Sequence, residues 1–530
     1  MGMSYTLKSR QRIIKREGYK RGISMRITSS WIAICIAGIA NTSCNKVLNS
    51  DIIAPLSMTV PIWRDLIFAA TNIAPYLVIL WALQKSFFPK GESFLTKSSV
   101  VAICAGALCV ITYLTSSTTS ILCIGFALWE LGGFWVYVLY ILALCQLPNA
   151  KSAAICVSVS SVFGILGQGI LVACPQQMRI VIGVVLLLTT LVLSRPLARQ
   201  NLDLLNHTKD IEAVEFSNPF SFISPLNPAF WCLFVFNLVF GIALSLNCVS
   251  GIPVDTSLVS AGVALCVLVY LAWPNRLENH VDPLACAAAF LVVAGLLCAV
   301  ISLFLPLGNT TNYIIRAGDI CFVIIRFLVV FGIGIRNRLG ALRVIAWSAV
   351  FTSLGTLVGT YSGHVINGLI GVNDVLACSF LCFMLLSFVA ASFVWFSHFS
   401  FRAVIFGVEP LSHTQPIVMP AEPAPTEKTL DECCDELGDE YGLTKREVEI
   451  CALLAKGRNG RAISEQCYLS YNTVKTHVKH IYMKLDVHSQ QDLIDLVEDM
   501  IASAPLSKNE QTDETQTTST TSCEHIAREA

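Results

Sequence analysis

Between residues 29 and 397 the chain is a succession of apolar runs, each near the roughly 20 residues that an α-helix needs to cross a hydrocarbon core about 30 Å thick. Twelve such runs are read, near 29–49, 63–83, 98–115, 119–144, 151–173, 176–194, 226–248, 256–274, 283–305, 313–334, 339–360 and 374–397. Composition agrees, with 54% hydrophobic and 14% charged residues where soluble domains carry about half and a quarter. Lipid satisfies no backbone amide, so the region must fold as an all-α, polytopic helical bundle in a lipid bilayer. The longest polar interruption, 195–225, divides the runs six and six, which points to duplication. The first run is the weakest, with Asn41, Asn45 and Lys46 in its second half.

Lys and Arg on alternate loops report the cytoplasmic side. The N-terminus carries Lys8, Arg10, Arg12, Lys15, Arg16, Lys20, Arg21 and Arg26. Every second interruption continues the bias: Lys85, Lys90 and Lys97; Lys151; Arg195, Arg199 and Lys209; Arg276; Arg336 and Arg338; then Arg402. The opposite interruptions hold Asp51, Asp255 and Asp374 instead, with Arg64 and Arg316 only at run edges. The reading is a multi-pass protein of the cell membrane with both termini cytoplasmic. No cleavable signal peptide is expected, because the residues before the first run are basic and polar. Of the 21 cysteines, those scattered through the apolar runs, among them Cys35, Cys104, Cys123, Cys266 and Cys298, lack paired metal-type spacing and are expected to pack as small hydrophobes.

After Phe401 the composition changes. The predicted organisation is a basic N-terminus (1–28), a membrane domain (29–397), a linker (398–430) with its Pro- and Glu-bearing stretch Pro410 through Glu427, a compact segment (431–502) and a low-complexity, disordered tail (503–530).

In the compact segment Thr444 can cap a helix while Glu447, three residues on, reaches back to the cap amide. Ile450, Cys451 and Leu454 line one face of that helix, and Gly457 ends it. A short helix fits Asn459 to Gln466, a turn falls around Tyr468 and Leu469, and Ser470 caps a third helix. There Val474, Val478, Ile481 and Leu485 form a buried stripe, which turns Thr473, Lys475, Thr476 and Lys479 outward. Residues 445 to 484 carry eight Lys or Arg against three acids, whereas a fourth helix, from about Ser489 to Met500, is acidic. On that helix Leu493, Ile494 and Val497 are either core or a dimer face.

These residues resemble the bacterial LuxR-type helix-turn-helix: Leu443-Thr444-x-Arg446-Glu447, Gly457, Ile463, and Thr473-Val474-Lys475-Thr476-His477-Val478 with Ile481-Tyr482-x-Lys484-Leu485. The resemblance implies a four-helix domain that docks its third helix in the major groove of double-stranded DNA, usually as a homodimer on inverted half-sites. It implies that Lys475, Thr476 and Lys479 meet bases and nearby phosphates, with Thr473, His477 and Lys484 as backbone contacts. Where that family often has Asn-Lys-Glu-Ile-Ala, this chain has Gly460-Arg461-Ala462-Ile463-Ser464, and a helical glycine costs up to about 1 kcal/mol.

Twelve spans split six and six, with both ends inside, resemble the major facilitator superfamily in architecture. The superfamily's Gly-Asp-Arg motif between spans two and three is absent, the loop reading Gln84-Lys85-Ser86-Phe87-Phe88-Pro89-Lys90-Gly91. Ionisable residues inside spans are costly and functional by default: Glu130 in the fourth span, and Asp319 and Arg326 in the tenth, form a candidate intramembrane sensing set, with Gln168 and His364 weaker. The alternative for Asp319 is a packing pair with a neighbour such as Arg316. No phosphate loop, histidine pair at metal spacing or phosphoacceptor domain is present in the sequence, so neither an enzyme nor a cofactor or metal is expected. The leading expectation is a one-component sensor whose membrane domain answers a small-molecule ligand and controls the DNA-binding domain. The alternatives are a transporter with a fused regulatory domain, or a membrane part that only anchors.

Overall fold

The computed structural model describes residues 29–84, 91–208, 211–246, 256–273, 277–305, 307–408 and 430–503. The expected basic N-terminus and, beyond Ser503, the expected tail lie outside the described residues, as does 409–429 of the expected linker. The chain divides into two units, Met1–Thr414 and Gln415–Ala530, and every regular element among the described residues is a helix.

The first unit contains α1 (Ser29–Thr59), α2 (Pro61–Gln84), α3 (Glu92–Ser116), α4 (Thr119–Leu144), α5 (Ala150–Val172), α6 (Gln176–His207) and a short α7 (Ile211–Ser217). It continues with α8 (Pro228–Leu246), α9 (Ser257–Ala272), α10 (Glu278–Ile301), α11 (Thr310–Arg336), α12 (Ala341–Leu369), α13 (Asp374–His398) and a six-residue α14 (Phe401–Phe406). Ten of these helices are long and apolar enough to cross a membrane, and α8 and α9, at the seventh and eighth expected spans, are shorter apolar helices.

Two expectations about loops are corrected. Asp51, read as an outer-loop residue, lies in a π-helical turn of α1 (Leu48–Ile53), is 1% exposed and pairs with Arg179 of α6 at 2.6 Å. The wider π turn keeps the helix going past the polar residues that marked the run's end. Arg195 and Arg199, read as loop residues, stand on α6, whose 32 residues make a rod of about 48 Å, longer than the hydrocarbon core. Both pair with Glu92 at the start of α3, at 2.8 and 3.3 Å.

The two sets of six helices meet along α2 with α12 and α5 with α9. Within the second set, α8 and α12 approach most closely through Gly355, Gly359 and Gly363, spaced by four. A β-carbon at Gly359 would sit 2.0 Å from the Leu238 carbonyl oxygen, and one at Gly355 would sit 2.2 Å from that of Phe234. Small residues at this spacing let backbones touch where no hydrophobic effect drives helices together. Helix α11 is the most enclosed: 78% of its most apolar stretch is buried inside the unit, against 17% for α13.

The second unit comprises α15 (Leu430–Tyr441), α16 (Lys445–Ala455), α17 (Gly460–Gln466), α18 (Tyr471–Leu485) and α19 (Gln490–Ser503). Its core joins Cys433, Cys434 and Leu437 to Ile450, Cys451, Leu454, Ile463, Val474, Val478, Ile481, Tyr482, Leu493 and Val497. Helix α15 adds a fifth helix to the four expected.

Candidate nucleic-acid interface

The local chemistry of α16–α18 is capping chemistry. Thr444 Oγ1 accepts from the Glu447 amide at 3.3 Å, while Glu447 Oε2 accepts from the Thr444 amide at 2.8 Å, a closed capping box. Gly457 ends α16 with a φ of +71°, the left-handed conformation that glycine adopts without penalty. Asn459 caps α17 through the Ala462 amide at 2.9 Å, so the helix forms despite Gly460 at its first position. Ser470 caps α18 through the Thr473 amide at 3.1 Å.

On α18 the stripe Val474, Val478, Ile481 and Leu485 is buried. Thr473, Thr476 and Lys479 are exposed, and Lys475 and His477 are half-buried. Two hydroxyls are partly engaged: Thr473 Oγ1 lies 2.7 Å from Ser470 Oγ, and Thr476 Oγ1 donates to the Asn472 carbonyl at 3.1 Å. The Nδ1 of His477 is buried and has no hydrogen-bond partner among the described residues.

Lys484 is placed differently from the outward lysines. Its Nζ donates to Glu447 Oε2 at 2.7 Å and to the Gly442 carbonyl at 2.9 Å, committing two of its three hydrogens to the domain itself. Glu447 is 4% exposed, with His480 Nδ1 3.8 Å from its other oxygen. Burial alone would raise this carboxyl's pKa. The Lys484 ammonium and the amide and hydroxyl of Thr444 outweigh burial and hold it down at about 2. One carboxylate therefore closes the cap of α16 and pins the last turn of α18 to it. Sequence reasoning found Glu447 as a cap and missed it as the clamp on α18.

On α19, Leu493 and Val497 are core, and Ile494 is half-buried. The open choice between core and dimer face thus resolves by position for the first two and leaves Ile494 with accessible apolar surface.

The three candidate membrane charges lie on two helices, α4 and α11. Glu130 on α4 accepts from Asn72 Nδ2 of α2 at 2.8 Å. Asp319 on α11 pairs with Arg316 at 2.6 Å, the packing partner weighed from the sequence. Arg326, two turns on, has a buried Nε without a hydrogen-bond partner among the described residues, and its guanidinium stands 5.7 Å from the Phe327 ring centre. Among the described residues no ion pair joins Glu130, Asp319 and Arg326 to one another. Gln168 donates to the Thr42 carbonyl at 2.8 Å, a link from α5 to α1. His364 is more telling than its sequence context indicated: its Nε2 lies 3.0 Å from Asp65 Oδ2, tying α12 to α2 across the two sets of helices, with Arg64 bonded to the same carboxylate.

Residues 442–497 match the family model for bacterial regulatory proteins of the luxR family (GerE). Over 45 residues the chain is 49% identical to the transcriptional regulatory protein LiaR of Bacillus subtilis (strain 168), covering 8% of this chain and 21% of that protein. Over 53 residues it is 42% identical to the oxygen regulatory protein NreC of Staphylococcus carnosus (strain TM300), covering 10% and 24%. The chain thus spans less than a quarter of the length of these regulators. Among solved structures, similarity extends to the human organic anion transporter TETRAN, with TM-score 0.44 and 11% identity over 68% of this chain and 99% of that one. It extends also to the fucose:proton symporter FucP of E. coli, with TM-score 0.38 and 14% identity over 67% and 97%. The C-terminal domain is a LuxR-type helix-turn-helix, joined in one chain to a helical membrane domain.

Proposed function

We propose that this chain is a one-component transcription regulator embedded in the cell membrane, whose helical domain responds to a small ligand and controls a cytoplasmic DNA-binding domain. The observation that carries the reading is α18: its apolar stripe is locked in the core by Glu447 and Lys484, and its opposite face presents Thr473, Lys475, Thr476 and Lys479. That face fits the major groove of double-stranded DNA, with Lys475, Thr476 and Lys479 meeting bases or phosphates and Thr473 and His477 the backbone. Lys484 acts mainly by holding the helix in place. Partly accessible Ile494 on α19 is the apolar contact for a second copy, and a homodimer would read two half-sites.

For α18 to reach DNA, the C-terminus must be cytoplasmic. Reporter fusions after Arg402 should read cytoplasm and fusions at Asn309 should read the outside. A cytoplasmic reading at Asn309 would break the model.

Signal entry is assigned to Glu130, Asp319 and Arg326, because charge inside spans is retained at a cost only where it does something. A ligand shifts DNA occupancy only by the difference in its affinity for two arrangements of the helices. Glu130→Gln, Asp319→Asn and Arg326→Gln should each change target-gene output per membrane-inserted molecule by about fivefold, the equivalent of roughly 1 kcal/mol in a two-state balance. DNA binding by isolated residues 430–503 provides the reference. Normal output per molecule in all three variants removes the sensing set, and flux of a solute into proteoliposomes would favour a transporter with a fused regulator.

A further inference from the structure

The stretch after the last span was expected to begin the linker, yet Phe401–Val408 is folded onto the membrane unit. Ser400 caps α14 through the Ala403 amide, and its hydroxyl donates to Asp282 Oδ2 of α10 at 2.6 Å, while the Arg402 amide donates to Asp282 Oδ1 at 3.1 Å. Phe401, Ile405 and Val408 are at most 5% exposed. At the other end, Arg336, the last residue of α11, donates to the carbonyls of Phe406 and Val408, both at 2.8 Å, with its guanidinium over the Phe406 ring. Between these anchors Ile405 seats on Gly332 so closely that a β-carbon there would fall 2.5 Å from Ile405 Cγ2.

From this geometry we infer that α14 is the transmitter of the regulator: a strap that α10 and α11 hold in place, and whose release lengthens the tether to the DNA-binding domain. The inference rests on the sensing role proposed above. A single rigid element carries both ends of it, since α11 bears Asp319 and Arg326 toward its start and middle and Gly332 and Arg336 in its last turns. A shift or rotation of α11 that changes the setting of Arg326 must also move the seat of Ile405 and the donor of the two carbonyl bonds. Helix α14 has only six residues, too short to persist as a helix in water without such contacts. Its release would free residues 401–408, adding up to about 28 Å of extended chain ahead of the domain that begins near Leu430. Tether length sets how far the domain reaches and, in the proposed homodimer, the effective concentration of one copy's domain at the other's, so docking and release alter DNA occupancy without touching α18.

The test uses the full chain in nanodiscs and in cells. Gly332→Val puts a branched side chain where Ile405 sits, and Arg336→Gln removes the charged donor, so each should raise amide hydrogen exchange at residues 401–408 by at least about tenfold. Both should shift target-gene output per membrane-inserted molecule in the same direction, and the double variant should add little to the stronger single one. Insertion of eight Gly and Ser residues after Val408 lengthens the tether with the strap docked and should reproduce the shift while leaving exchange at 401–408 as in the parent. Faster exchange with unchanged output in both variants overturns the transmitter role. Unchanged exchange in Gly332→Val overturns the docking itself. Failure of the sensing set is a separate result, read from Glu130→Gln, Asp319→Asn and Arg326→Gln, whose output would be normal while Gly332→Val still shifts it.

Discussion

Replacing Lys475 and Lys479 together by alanine should weaken binding of residues 430–503 to double-stranded DNA by at least about thirtyfold, measured on duplexes selected from a random pool by the parent domain. The magnitude follows from removing two cationic contacts, each of which costs about 1 to 3 kcal/mol if it meets a base edge. The salt dependence separates the roles. A lysine on a phosphate releases about one counterion, so its loss lowers the slope of log K against log salt by about 0.9, whereas a lysine on a base edge leaves most of the slope and relaxes preference at one position. Lys479 is the more exposed of the two and Lys475 is half-buried beside the core stripe, so Lys479 is assigned the larger share of the slope. Thr476, already bonded to the Asn472 carbonyl, should cost less when changed to Ala. Parent-like binding by the double variant would refute α18 as the reading helix.

Local chemistry was legible and long-range pairing was not. Thr444 with Glu447, Asn459 and Ser470 each announce a helix start within three residues, and the structure places α16, α17 and α18 at those caps. The apolar stripe of α18 could be counted off directly. Helix α15 escaped because Leu437 is its one large buried apolar residue, beside Cys433, Cys434 and Gly438 in an acidic background, a weak apolar signal. In the membrane unit the apolar runs located the spans, since each span is recognisable alone. Partners of charged residues are set by packing: Asp319 had arginines three residues before and seven after, and only the side-chain geometry of α11 selects Arg316. The link from Asp65 to His364 crosses 299 positions, and that from Asp51 to Arg179 crosses 128, separations at which spacing carries no information. The docking of α14 was hidden for a related reason, because a single helical turn has too few residues to show a periodicity.

Glu447→Ala should lower the stability of the isolated DNA-binding domain by about 2 to 3 kcal/mol. The substitution opens the capping box, worth about 1 kcal/mol, and strips a buried carboxylate from Lys484, leaving the end of α18 without its anchor. For a domain of this size each kcal/mol moves the melting temperature by about 4 to 8 °C, so a fall of roughly 10 to 20 °C is expected. Glu447→Gln keeps the acceptor for the Thr444 amide and loses the charge, so it should fall between the two. The pH dependence identifies the charge as the cause. The folded-state pKa of about 2 lies below the unfolded value of roughly 4.3, so the carboxylate's contribution is complete above the unfolded value and disappears as pH falls toward 2. The stability gap between the parent and Glu447→Gln should therefore be constant from pH 7 to about 5 and close progressively below that. A gap as wide at pH 3 as at pH 7, measured by urea unfolding of both proteins, would mean that shape, and not the ion pair with Lys484, holds α18 in register with α16.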